Sequence, residues 1–442
     1  MKPIRPTRPT MPRRLLFAAI AATVLLSAQV PARAEDNAES VFRDARTYTV
    51  RIRTQIATPF IEDERGSFEG AGFLVDSERG WVLTNAHVVG RSPSELQVAF
   101  ADLPYRPARK VYVDPYADIA IIEVSEKDRR RSAAPLGCDD IPEVGESIGA
   151  FGHPLSMPFT GSRGIVSGVT DKFGADLLQI DATVDHGNSG GPVISLRSGR
   201  VVGIATAMMG RNKEDRLNFA TPICDACRIL ELMRAGKSPS PPQMAFVLLK
   251  DEDGRLTLQV ESTHDAKHWP LQQGDLIIGV QGADSVETVG ELVNELRGLT
   301  GRIPLAVERG GKAQVVEVTP SPREPLIARR GISIDGALIS SIAYEDALTL
   351  REPAPLLLQS VEPGSAAEML GLSEQDIVRS VDGRRFEDLD HLIQYLLKRP
   401  KDTPLTIVVR RWSAEQTRIF DYHVRRLPGE DVRVVGEGRN AK

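Results

Sequence analysis

From residue 48 the chain repeats one pattern many times: short runs in which apolar and polar residues alternate, broken by glycine, proline, asparagine or aspartate. Tyr48, Val50, Ile52, Thr54 and Ile56 open the series, and their period of two turns one face of a strand into a core and the other toward solvent. Comparable runs at 72–75, 81–83, 96–100, 110–113, 119–124, 147–151, 164–169, 177–180, 201–208 and 217–221 predict further strands at the spacing of an all-β barrel or sandwich. Residues 223–234 carry a helical pattern, and Lys237-Ser238-Pro239-Ser240-Pro241-Pro242 then reads as a linker. After it one arrangement occurs twice. A strand at 274–282, an amphipathic stretch at 286–296 and a strand at 303–309 are repeated as 375–383, 386–397 and 405–410, with the proline-bounded residues 320–325 between the copies. The last dozen residues are polar and read as a tail.

The first 34 residues follow a different pattern. Lys2, Arg5, Arg8, Arg13 and Arg14 precede an apolar run over residues 15–28, and Ala32-Arg33-Ala34 is a small-x-small cleavage site, as in a secretory leader. The run falls short of the roughly 20 residues a membrane-spanning helix needs, so no stable span is expected once the leader is removed. Its removal takes six basic residues and no acidic ones, which moves the formal charge from −5 to −11, with 49 basic residues against 60 acidic. A mature chain this acidic argues against nucleic acid as a partner.

Three stretches carry chemistry. Gly187-Asn188-Ser189-Gly190-Gly191-Pro192 places a serine among glycines, which let a backbone turn present N–H groups to a developing oxyanion. By itself the hexapeptide also reads as a glycine-rich turn. Upstream, Thr84-Asn85-Ala86-His87-Val88-Val89 supplies a histidine at the end of a strand, and Asp118 opens the run at 119–124. In the order His87, Asp118, Ser189 these are the parts of a serine nucleophile, its base and the carboxylate that orients the base. Asp114 competes for the last role, although Pro115 beside it suggests a turn. Gly187 to Gly191 also satisfies the G-x-S-x-G pattern of α/β-hydrolases, but strands follow Pro192 where that fold needs a helix, and the histidine lies upstream instead of downstream.

Residues 84–89, 118–124 and 187–193 together resemble the chymotrypsin-fold serine proteases, specifically the HtrA (Deg) family, and the repeats after Lys237 resemble that family's PDZ domains. The resemblance implies a mainly β chain: a chymotrypsin-like double six-stranded β-barrel followed by two small α+β PDZ domains. The expected divisions are a leader at 1–34, a protease domain at 35–236, PDZ-like domains at 243–320 and 326–428, and a tail at 429–442. It further implies catalysis by His87, Asp118 and Ser189, oxyanion donors at Gly187 and Ser189, a homotrimer or a multiple of trimers, and a periplasmic quality-control or stress-response role on unfolded proteins. Thr183 stands six residues before Ser189, where related trypsins hold an acidic group. With Ala205, Thr206 and Ala207 lining the cleft and Met208 and Met209 near its rim, cleavage after small or medium aliphatic residues is expected. Gly331, Ile332, Ser333 and Ile334 are similar to a PDZ carboxylate-binding loop that would hold peptide C-termini.

Other residues suggest less. Many relatives carry Asn-Pro where this chain has Asp185-His186, so His186 is either a solvated loop residue or a group that makes the oxyanion turn pH-dependent. Three cysteines leave at least one unpaired; Cys224 and Cys227 allow a local disulfide but lack a second pair for zinc. His264 and His268 have no acidic partner pattern for a metal site, and His153, His391 and His423 stand isolated, so no metal and no cofactor is expected. A second class of function remains open: a PDZ-based chaperone or peptide sensor with a latent or inactive protease domain.

Overall fold

The computed structural model describes residues 38–436 apart from residues 130, 155–156, 172–174, 208–216, 282–284, 322, 324, 342–355, 401–402 and 413–419. The leader at 1–34 and the rim residues Met208 and Met209 therefore lie outside the described residues.

Strands β1 (Thr49–Ile56), β2 (Gly66–Asp76), β3 (Trp81–Thr84), β4 (Glu95–Phe100), β5 (Arg106–Asp114) and β6 (Ile119–Glu123) close into one barrel in the order β1-β2-β3-β6-β5-β4. Strands β7 (Ser147–Gly152), β8 (Thr160–Thr170), β9 (Leu177–Ile180), β10 (Pro192–Ser195), β11 (Val201–Ala207) and β12 (Asn218–Pro222) close into a second, in the order β10-β11-β12-β9-β8-β7. Closure leaves no sheet edge unpaired, which is how antiparallel strands of this length avoid edge-to-edge association. The alternation read from Tyr48 is the inward set of β1: Val50, Ile52, Thr54 and Ile56 are buried.

Two helices flank the barrels. Helix α1 (Ala38–Tyr48), which the alternation did not predict, buries Val41, Ala45 and Tyr48 and stacks Phe42 on Phe151, with ring centroids 5.8 Å apart. The predicted helix at 223–234 is present; Ile223, Ala226, Ile229 and Leu230 face inward at helical spacing. Its Cys227 is joined to Cys138 and not to Cys224, which is a free thiol, so the disulfide is not the local one allowed by the C-x-x-C spacing.

The chain continues into two further sheets, each with its own core. The middle one orders β13 (Phe246–Lys250), β14 (Leu256–Thr263), β15 (Leu276–Val280), β16 (Ile303–Arg309) and β17 (Lys312–Val318) consecutively. It packs a helix at Val289–Leu296 that begins at a capping box, Thr288 with Glu291. The last sheet has seven strands. β18 (Gly331–Ile334), β19 (Ala337–Ser341), β20 (Leu356–Val361), β21 (Ile377–Val381), β22 (Leu405–Trp412), β23 (Phe420–Leu427) and β24 (Val432–Val435) run in the order β23-β22-β21-β20-β19-β18-β24. A helix at Leu389–Lys398 covers it, capped by Asp388. The strand β24 corrects the tail expected from residue 429: Val432 to Val435 pair with Gly331 to Ile334.

Candidate active site

The two barrels meet where β3 ends and the loop before β10 begins. His87 follows Asn85 in a one-turn helix at Ala86–Val89, and its ring is about half exposed. Asp118 sits at positive φ (52°) just before β6, a conformation aspartate tolerates better than most residues. Its carboxylate accepts the His87 backbone N–H at 3.0 Å and lies 2.8 Å from His87 Nδ1. Its carbonyl accepts the Ala86 N–H and the side chain of buried Asn85, whose amide also reaches Thr206 Oγ1 on β11 at 3.0 Å. Both ends of Asp118 are thus tied, and the ring is left with Nε2 as its basic nitrogen. Burial draws the His87 pKa down, but the hydrogen bond and charge of Asp118 outweigh it and hold the pKa above that of a free imidazole.

Ser189 stands in a short loop stitched to both barrels. Its carbonyl accepts the Ala71 N–H of β2 at 2.8 Å, while Gly190 and Gly191 exchange backbone hydrogen bonds with Ala205 of β11. A Cβ at Gly190 would fall 2.2 Å from the Ala71 carbonyl oxygen, so only glycine lets this loop reach β2. The preceding residues form a β-turn closed by the Asn188 N–H to the Asp185 carbonyl at 2.9 Å, with Gly187 at φ 99°. The Gly187 carbonyl accepts the N–H of His153, and a Cβ there would lie 2.2 Å from the His153 carbonyl oxygen.

His153 is therefore not isolated. Its Nδ1 accepts the Phe159 N–H at 2.9 Å, which puts the ring proton on Nε2, where it meets the Val50 carbonyl at 3.0 Å. The ring packs edge-on against Phe159 and is pushed down to a pKa of about 4 by burial. A buried, neutral imidazole links β1 to the loop that braces Gly187. Sequence spacing offered no signal for it.

A cleft of about 520 Å³ opens over this ground, lined by His87, His153, His186, Gly187 and Ser189 together with Arg51, Arg53, Glu69 and Tyr105. Arg51 and Arg53 lie over the Tyr105 ring at 5.0 and 4.4 Å, and Arg53 pairs with Glu69 at 2.9 Å. His186 is exposed at the rim, its N–H held by its neighbour Asp185.

Comparison with known proteins places this arrangement. The trypsin-like peptidase domain family matches residues 70–204, and the PDZ domain family matches residues 359–411. The probable periplasmic serine endoprotease DegP-like of Chlamydia pneumoniae is 29% identical over 348 residues, covering 73% of this chain and 70% of its own. The putative serine protease HhoB of Synechocystis sp. is 31% identical over 291 residues, covering 59% of this chain and 68% of its own. The chain belongs to the HtrA/DegP-like serine proteases. The solved HtrA-type protease AlgW with tripeptide shares the fold, with a TM-score of 0.52, 22% identity, and coverage of 65% of this chain and 97% of that one. The protein is a serine endopeptidase with a PDZ domain at 359–411 and a PDZ-like sheet before it.

In this HtrA/DegP-like chain the other expected site residues are distributed unevenly. Ala205 and Thr206 are buried beside the Ser189 loop, bonded to Gly190, Gly191 and Asn85 as above. Ala207 ends β11, opposite Asn218. Thr183 is exposed, its carbonyl accepting Ser162 Oγ at 2.9 Å, and it does not line the cleft over Ser189. Gly331, Ile332, Ser333 and Ile334 form the buried strand β18, paired to β19 on one side and β24 on the other, so the expected carboxylate-binding loop is a strand with both edges taken. Among the described residues no His, Cys, Asp and Glu cluster suits a metal ion.

Asp114 is not beside His87. It is fully buried under the turn that leads to Asp118, its Oδ1 accepting the N–H groups of Tyr116 and Ala117. The turn role suggested by Pro115 is what it performs.

Proposed function

We propose that this protein is an exported serine endopeptidase of protein quality control, in which Ser189 attacks the scissile carbonyl, His87 serves as base and then acid, and Asp118 orients and charges the base. Asp118 holds His87 at Nδ1, so the ring takes the Ser189 proton on Nε2 and returns it to the leaving amine as the acyl-enzyme forms. Water then attacks the acyl-enzyme with the same base. The N–H groups of Gly187 and Ser189 are the oxyanion donors. The turn at 185–188, which admits only glycine at position 187, would preset these donors in advance of the reaction, where they contribute most. The observation that carries this reading is the bidentate grip of Asp118 on His87 in the cleft that also holds Ser189.

Unfolded chains are the proposed substrates, entering as extended strands alongside residues 205–207, with cleavage after small or medium aliphatic side chains. The PDZ domain is proposed to recognise peptide C-termini through an edge other than those of β18, and the assembly to be a homotrimer or a multiple of it. Relatives named periplasmic support an exported location. Incubation of the purified mature chain with an unfolded protein, beside Ser189→Ala, tests the reading. Ser189-dependent fragments support it. Binding and protection of the substrate with no fragments under any activating peptide would favour a chaperone or peptide sensor. A peptide library cleaved after Lys or Arg would overturn the aliphatic preference.

A further inference from the structure

A buried ion pair joins the middle sheet's domain to the turn that carries Asp118. Arg297, at the C-terminal cap of the helix Val289–Leu296, places Nη1 2.6 Å from Asp114 Oδ2, and both side chains are 0% exposed. Asp114 has two tasks. Its Oδ2 meets Arg297 and the Tyr112 hydroxyl, and its Oδ1 accepts the N–H groups of Tyr116 at 2.9 Å and Ala117 at 3.2 Å. The next residue is Asp118, held at positive φ with its carboxylate on His87. The guanidinium is itself fixed from the other side, Nε to Asn294 Oδ1 at 2.9 Å and Nη1 to the linker carbonyl of Pro239 at 2.8 Å, while Asn294 reaches Asp225 of the barrel helix.

The physics makes this pair conditional on docking. A carboxylate buried without a partner is held at a large desolvation cost, and it takes up a proton or moves toward water instead. The move toward water takes Oδ1 off the Tyr116 and Ala117 N–H groups and loosens the 114–118 turn. Asp225 and Asp176 face the same seam, so withdrawing Arg297 would leave three carboxylates near one another.

We propose that Arg297 is a positioning residue for the proteolytic site: by neutralising Asp114 from the docked middle domain, it sets the 114–118 turn and hence the seat of Asp118 on His87. The proposal rests on the assignment of His87, Asp118 and Ser189 above. It makes the protease dependent on a domain that contributes no group to the cleft.

The test uses the full mature chain and four variants: Arg297→Met, Arg297→Lys, and Arg297→Met combined with Asp114→Asn or with Asp114→Ala. Arg297→Met should lower kcat by about tenfold or more with KM little changed, and move the acid limb of kcat/KM to lower pH as His87 loses support. Arg297→Lys, which keeps a charge without the guanidinium fork, should recover part of the loss. Should Arg297→Met not fold, the double variants carry the test, since neither leaves a charge at position 114 buried without a partner and both share the same Asp225 environment. With Asp114→Asn, the introduced amide oxygen can still accept from Tyr116 and Ala117, so that double variant should retain the wild-type acid limb. With Asp114→Ala no acceptor remains, and that double variant should lose the limb and fall about tenfold in kcat. Asp225 is unchanged in both, so its titration cancels in the comparison. Equal kcat and superimposable pH profiles for the two folded double variants, or a folded Arg297→Met with wild-type kinetics, would overturn the proposal. Inactivity of the wild type under every condition would instead count against the assignment of Ser189.

Discussion

Replacing Gly187 by alanine is the sharpest perturbation of the oxyanion turn, because the structure opposes a side chain there twice. The residue lies at φ 99°, outside the region alanine favours, and its added Cβ would stand 2.2 Å from the His153 carbonyl oxygen, well inside van der Waals contact. The backbone term alone costs about 1–2 kcal/mol. The collision is with main chain, which cannot swing aside as a flexible side chain would, so the turn must rotate and take the Gly187 N–H away from Ser189. Loss of one oxyanion donor lowers kcat by about 10²–10³, or roughly 2.7–4 kcal/mol of transition-state stabilisation. Steady-state hydrolysis of a peptide ester by Gly187→Ala should therefore show a fall of that size in kcat with KM within a few-fold. Circular dichroism should show the barrels intact, with the melting temperature lowered by only a few degrees. A folded variant with wild-type kcat would refute the reasoning that this turn is committed to the oxyanion.

Four further outcomes follow from the same structure. Asp118→Asn removes what raises the His87 pKa, so the acid limb of kcat/KM should move to lower pH while kcat collapses; an unmoved limb would detach Asp118 from His87. His153 is neutral in the fold at a pKa of about 4 against 6.5 when unfolded, so its contribution is complete above about pH 6.5 and is lost as pH falls toward 4. That window is worth about 3 kcal/mol, and urea midpoints measured across it should flatten in His153→Gln; coincident curves would contradict it. The Cys138–Cys227 bond closes a loop of sequence separation 89, so Cys138→Ser should lower stability by about 4 kcal/mol or somewhat less, read as a melting-temperature drop of roughly 10 °C. Cys224, pushed up to about 12 by burial and by Asp225, should react only slowly with iodoacetamide in the native protein.

What was legible in the sequence was local or periodic. Strand β1 announces itself because one of its faces is buried, β3 and β6 because their short apolar runs are buried nearly throughout, and the helix at Ile223–Arg234 because its apolar residues return every turn. The order of His87, Asp118 and Ser189 survives in the geometry for the two residues whose contact is direct. What escaped was set by contacts between distant segments. His153 looked isolated because its partners are the backbone of Val50, Phe159 and Gly187, which leave no mark on side-chain pattern. Asp114 appeared as a rival for Asp118 because the sequence does not say that Arg297 will be buried against it. Gly331 to Ile334 matched a loop motif, yet alternating apolar residues also suit a strand, and β24 arriving from the far end of the chain decided the matter.

Everything proposed for the cleft depends on Ser189 being the nucleophile that His87 activates. Treating the mature protein with a fluorophosphonate and mapping the adduct by mass spectrometry tests it most directly. One adduct is expected, on Ser189, absent in Ser189→Ala and slowed by orders of magnitude in His87→Ala. An adduct on another residue, or none in a preparation that cleaves protein, would contradict it.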